Sequence, residues 1–146
     1  MNIRIGNEND VKQGSALIQA YIKEIKSFKN KILYPAEYYD DLCMSAAKDK
    51  TVIIAEEEGK IVGVLFGIIM PNYLFNEQQL QVLVTWVRPD KRGSSAFIRM
   101  FKELTHRFGD KYNIVFKEIE ETNLNYTKLN LTKIESSYQF NKKEVS

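Results

Sequence analysis

Residues 84–101 read VTWVRPDKRGSSAFIRMF. A β-branched and aromatic run stops at Val87-Arg88-Pro89, and proline cannot continue a central strand. The next six residues hold a Lys, an Arg, a Gly and two Ser. Beyond them Ala96, Phe97, Met100, Phe101, Leu104 and Phe108 recur at helical spacing, with Arg99, Lys102, Glu103 and His106 between them. The pattern is strand, tight turn, amphipathic helix. A helix start offers backbone N–H groups without intrahelical partners and a partial positive charge. Phosphate binds such ends, and small residues let it approach. Gly93, Ser94 and Ser95 are small, and Lys91 and Arg92 add charge. An ordinary strand-to-helix connection with a Ser N-cap would carry the same residues.

Outward from this turn, the chain alternates element types. "NIRI" (2–5) predicts a short strand, and Asn7 with Asp10 predicts a capped start to the next element. Val11, Ile18, Tyr21, Ile22, Ile25 and Phe28 predict a helix that Pro35 ends. "AEYYDDLCMSAAK" (36–48) predicts a second, with Tyr38, Leu42, Cys43 and Ala46 on its apolar face. "TVIIAEEEGKIVGVLFGII" (51–69) reads as a hairpin about "EEEGK". "PNYLFNEQQ" reads as a loop, and "LQVLVTWV" (80–87) as a strand buried on both faces. "YNIVFKEI" predicts a strand, "NLNYTKLNL" a short helix and "SSYQFNKK" a final strand. The order is β-α-α-β-β-β-α-β-α-β, an α/β (α+β) fold with a mixed central sheet and helices on both faces.

The chain has 146 residues, 44% of them hydrophobic and 12% aromatic, which fits one globular domain over residues 1–146. Lys and Arg number 21 against 19 acids, a net charge of +2, so nonspecific nucleic-acid binding is not expected. One Cys and one His cannot build a four-ligand zinc site, and no metal is expected. The start lacks a secretory signal pattern, and the longest apolar run, "IVGVLFGIIM", is about half a membrane span. A cytoplasmic protein is expected. Abundant Lys, Asn and Ile fit an AT-rich genome, such as that of a phage or a low-GC bacterium.

The stretch "VRPDKRGSSAF" resembles the signature turn of the GNAT acyl-CoA N-acyltransferases. There a strand ends in Val-x-Pro, Arg-Gly follows, and the amides of the next helix hold the pyrophosphate of coenzyme A. Val87, Pro89, Arg92 and Gly93 occupy the matching places. "IRIGNENDV", "IIAEEEGKIVGVLFG" and "YTKLNL" (126–131) resemble the family's first strand and helix, its central hairpin and its Tyr-x-x-Leu-Gly-Phe segment. The resemblance spans nearly the whole chain. Ser95 and Phe97 stand where the family pattern has small residues, and Asn130 stands where it has a glycine.

The resemblance implies acetyl transfer from acetyl-CoA to a primary amine, on a small molecule or a protein. Such a reaction needs a neutral amine, a stabilised carbonyl oxygen and a proton for the leaving thiolate. It places Thr85, Trp86 and Val87 along the coenzyme, with Lys91, Arg92, Gly93, Ser94, Ser95 and Ala96 around its phosphates. Tyr126 becomes the candidate acid. The family's strand Glu falls near Gln81, which cannot take a proton, leaving Glu77 as a candidate base through water. Tyr34, Tyr38, Tyr39, Tyr73 and Phe75 would border the acceptor. Proteins resembling this one are commonly homodimers. The rival reading is a non-catalytic protein on the same fold, binding coenzyme A or serving as an interaction subunit.

Overall fold

The computed structural model describes residues 1–117, 129–131, 134 and 138. In chain order it contains β1 (Asn2–Ile5), α1 (Val11–Glu24), α2 (Ala36–Asp49), β2 (Val52–Glu57), β3 (Lys60–Pro71), β4 (Gln78–Val87), α3 (Ala96–Phe108) and β5 (Asn113–Phe116). Single 3-10 turns cover Glu8–Asp10, Lys26–Phe28 and Pro89–Lys91. The strands form one sheet in the order β1-β2-β3-β4-β5. The first four are antiparallel neighbours, and β5 runs parallel to β4. This matches the expected order as far as β5. The expected helix over "NLNYTKLNL" and the strand over "SSYQFNKK" lie largely outside the described residues.

Local chemistry explains the elements. Asn7 accepts a hydrogen bond from Asn9, Asp10 accepts one from the Asn7 N–H, and the two form a capping box ahead of α1. The β2–β3 hairpin turns through Glu58 and Gly59, both at positive φ, the turn class that matches strand twist. Arg4 holds the sheet edge to the first turn, donating to Asp10 at 2.8 Å and to Glu56 at 2.8 Å. Its guanidinium keeps the Asp10 carboxyl below the ordinary range. Two of the three acids in the "EEE" run are ion-paired. Glu56 pairs with Arg4, and Glu57 pairs with Lys91.

The sheet has a core on each face. Ile18, Tyr21, Tyr39, Cys43 and Ala46 of α1 and α2 pack against Ile54, Val64, Phe66, Val84 and Trp86. Phe97, Met100 and Leu104 of α3 pack against Ile53, Val62, Leu65, Leu80 and Val82. Burial pushes the Cys43 thiol up to about 11, which fits a packing role. Two expectations shift. The regular turn of α1 ends at Glu24, because Ile25 is extended, so Phe28 packs from a separate 3-10 turn. On α2 the buried ring is Tyr39, while Tyr38 faces out.

β4 contains the feature that matters most for the site. Phe66 pairs with Val84, but Gly67 pairs with Val82. Leu83 is therefore an extra residue, a β-bulge. Leu80 and Val82 pack on the α3 face, and Val84 and Trp86 on the face of α1 and α2. The extra residue turns the strand over, so one alternation serves two cores.

Candidate functional site

β4 has different neighbours along its length. Gln79 to Val82 pair with Asn113 to Phe116 of β5, and the Lys117 N–H reaches Val82 O at 3.3 Å. Past Val82 the strand pairs with β3 alone among the described residues. Among the described residues, the segment containing Thr85, Trp86 and Val87 thus has no strand beside it on the β5 side.

The turn after Val87 is held by its own side chains. Arg88 clasps Asp90 at 2.6 and 2.9 Å. Arg92 folds back, its Nε donating to Val87 O at 2.8 Å and its guanidinium 3.4 Å from Glu24. Lys91 Nζ lies 2.9 Å from Glu57. The Lys91 ammonium holds the Glu57 carboxyl below its ordinary range. Every cation of the turn thus has a carboxylate partner. Lys91 and Arg92 lie at the expected site, but each already has a counter-charge and serves to brace the turn. An anion here is left mainly to the backbone.

The backbone is suited to that. Gly93 sits at φ +88°, a left-handed conformation that side-chain-bearing residues rarely adopt, and open space surrounds the place of its missing Cβ. The Ser94 N–H donates to Lys91 O, and Ser94 Oγ accepts from the Ala96 N–H at 3.2 Å. Among the described residues, the N–H groups of Gly93, Ser95, Phe97 and Ile98 meet no acceptor. Ser95 is exposed and its side chain caps nothing. Phe97 turns inward against Phe101, with ring centroids 6.1 Å apart, so its bulk does not cover the helix start. These residues fit a pyrophosphate held by main-chain donors.

Of the two expected catalytic residues, only Glu77 is described. Tyr126 lies outside the described residues. Asn130 sits at φ +60°, so it takes the left-handed conformation that a glycine would favour. Glu77 lies at the far end of β4 from the turn. Its carboxylate accepts from Asn72 at 3.1 Å and Asn113 at 3.3 Å, closing the β3–β4 loop. At about 3.3 Å per strand residue it stands roughly 26 Å from Thr85, too far for one water to bridge. Tyr73 and Phe75 stand on that same distant loop.

The tyrosines before and within α2 are better placed. α1 ends at Glu24 beside Arg92, and α2 runs from Ala36 toward the start of β2. The start of α2 therefore lies at the Val87 end of the sheet, on the face opposite α3. Tyr34 and Tyr38 stack there at 3.9 Å, and Tyr39 Oη accepts the Tyr34 N–H at 3.2 Å. Gln81 Nε2 donates to Gln79 Oε1 at 3.1 Å. The sequence run gave no sign of the Leu83 bulge or of this amide pair. His106 is exposed on α3, away from the turn. Among the described residues no three His, Cys, Asp or Glu side chains gather as a metal site. Among them, too, no helix is long and apolar enough to cross a membrane.

The chain matches no family model and, by sequence, no curated protein. Solved structures do match it across most of its length. A predicted acetyltransferase with acetyl-CoA from Clostridium acetobutylicum superposes with a TM-score of 0.77 at 14% identity, covering 96% of this chain and 95% of that one. An aminoglycoside acetyltransferase from an uncultured soil metagenomic sample, in complex with sisomicin, gives 0.70 at 15%, covering 97% and 96%. A ribosomal-protein-alanine N-acetyltransferase from Brucella melitensis biovar Abortus 2308 gives 0.68 at 16%, covering 97% and 99%. The fold is therefore the GNAT-like acyltransferase fold, a mixed sheet with helices on both faces.

Proposed function

We propose that the protein is an acetyl-CoA-dependent N-acetyltransferase acting in the cytoplasm. The observation that carries this reading is the junction of β4 and α3. Unpaired amides open the helix directly beside a strand edge that has no neighbour among the described residues. The coenzyme supplies an activated thioester. The amides of Gly93, Ser95, Phe97 and Ile98 would hold its pyrophosphate. Backbone groups of Thr85 to Val87 would align its pantetheine arm, and an N–H there would polarise the carbonyl. Tyr126 is retained as the proton donor to the thiolate, on the family resemblance alone. Gln81 cannot act as a base, so the amine would bind neutral or lose its proton through water. The acceptor would enter beside Tyr34 and Tyr38. Structural neighbours act on an aminoglycoside and on a ribosomal protein, so both small-molecule and protein amines belong in the screen.

Calorimetric titration with acetyl-CoA and with coenzyme A tests this directly. Micromolar affinity, on the order of 8 kcal/mol, is expected. Gly93→Val should weaken it at least tenfold while leaving the melting temperature within a few degrees, because the added strain is local. Absence of binding at millimolar ligand would overturn the reading. Gln81, with its amide engaged by Gln79, favours a second reading: a protein that binds the coenzyme without turning it over. Tight binding with no thiol release across an amine panel would select it.

A further inference from the structure

The turn after β4 and the start of α3 differ in how their charges are used. Arg88 is held by Asp90, Lys91 by Glu57 and Arg92 by Glu24. Three carboxylates thus cancel three cations. Arg99 is the next cation along the chain. It is exposed and forms no ion pair among the described residues. Glu103, one turn further on, is the partner that helical spacing would offer it. That carboxylate is turned instead to Arg107, whose Nε donates to it at 2.8 Å.

Helix geometry decides where Arg99 can act. Its N–H donates to Ser95 O at 3.0 Å, so the two residues share a face, about 6 Å apart along the axis. The Cα–Cβ bonds of a helix tilt toward its N-terminus, and a long side chain covers the turn before its own Cα. For Arg99 that turn holds the N–H groups of Ser95, Phe97 and Ile98, which meet no acceptor among the described residues. Ala96, Phe97 and Met100 face the core, which leaves Ser95, Ile98 and Arg99 on the outside.

We propose that Arg99 supplies the full positive charge that meets the pyrophosphate of the donor, an inference that rests on the coenzyme reading of this turn. A pyrophosphate diester carries about two negative charges, one per phosphate. A helix start offers roughly half a positive charge against them. Lys91 and Arg92 could add theirs only by leaving Glu57 and Glu24, which would set bare carboxylates beside the anion. Arg99 breaks no ion pair to serve. Its planar guanidinium can meet two phosphate oxygens at once, clamping the group against the main-chain donors. The donor class that follows is a thioester with an anionic handle at this point. A donor lacking the pyrophosphate, such as S-acetylpantetheine, would gain nothing from Arg99.

Calorimetric titration with acetyl-CoA at several salt concentrations tests the proposal. Arg99→Ala should weaken binding at least tenfold and flatten its salt dependence. Lys102→Ala removes the same charge from an exposed position about 4.5 Å further along the axis, and should weaken binding less than threefold. Both variants should melt within a few degrees of the wild type. Unchanged affinity in Arg99→Ala, or equal losses in the two variants, would overturn the assignment and leave the proposed function standing. Absence of acetyl-CoA binding by the unsubstituted protein at millimolar ligand would overturn both.

Discussion

From Gln79 to Val82, β4 lies between two strands; from Leu83 to Val87 it pairs with β3 alone among the described residues. The first half is ordinary sheet. Its amide side chains bond to each other, and Glu77 at its start ties off the loop. The second half leads into the free amides of the turn and α3. Leu83 lies at the boundary. The half proposed to bind the coenzyme is the one whose backbone is incompletely paired among the described residues. An unpaired main chain is costly in a buried strand, yet it becomes a binding surface where a ligand can supply the missing partners.

The sharpest way to break this comparison is to delete Leu83. Without the extra residue, Val84 and Trp86 would turn toward α3, where Phe97 and Met100 already fill the space. The opposite core would lose both. The expected loss is roughly 5 kcal/mol or more, the range reserved for core failures, and urea denaturation would record an unfolded or molten chain. Leu83→Ala, which keeps the count, should cost only about 1–3 kcal/mol. A deletion variant as stable as Leu83→Ala would show that the bulge does not set the two faces.

Why that boundary escapes a reading of the sequence is instructive. In "LQVLVTWV" Leu80, Val82, Val84 and Trp86 keep a period of two with no polar break. The pattern says which positions are buried and not which face receives them. The elements themselves were legible, because their signals are local: the Glu58-Gly59 turn, the stripe on α3, the Pro89 stop. So was the left-handed turn at Gly93, since a glycine among small residues states a backbone requirement. The charge pairing was not. Lys91 meets Glu57 and Arg92 meets Glu24, carboxylates far away along the chain. Tyr38 and Tyr39 are adjacent, and spacing alone could not decide which one α2 buries.

A smaller effect would sharpen the contrast at Gln81, two residues before the bulge. Gln81→Glu adds a carboxylate on the near side of the boundary, where it could reach the slot through water. If the proposed reaction holds, turnover should rise about tenfold or more, within the span of general-base contributions. The gain should appear as pH rises through the carboxylate range near 4.3 and persist above it, since only the ionised form accepts a proton. Coenzyme affinity should stay within twofold, because the phosphate contacts lie past Val87. Unchanged turnover with intact binding would mean that proton removal does not limit the reaction, or that the acceptor does not approach this face.

The smallest effect belongs to Glu77. Its contacts to Asn72 and Asn113 are exposed hydrogen bonds at the closed end of the strand, so Glu77→Ala should cost about 0.5–1.5 kcal/mol of stability. It should also leave kcat and KM within twofold. The pair of substitutions is informative because the two positions, one just before β4 and one within its first half, differ mainly in distance from Thr85 to Val87. If Glu77→Ala lowered kcat tenfold at unchanged stability, the loop would have to reach the slot. The division of β4 at Leu83 would then describe packing without describing function. If it leaves kcat alone while Gln81→Glu raises it, reach from the bulge, rather than the presence of a carboxylate on the strand, decides which side chain can serve the reaction.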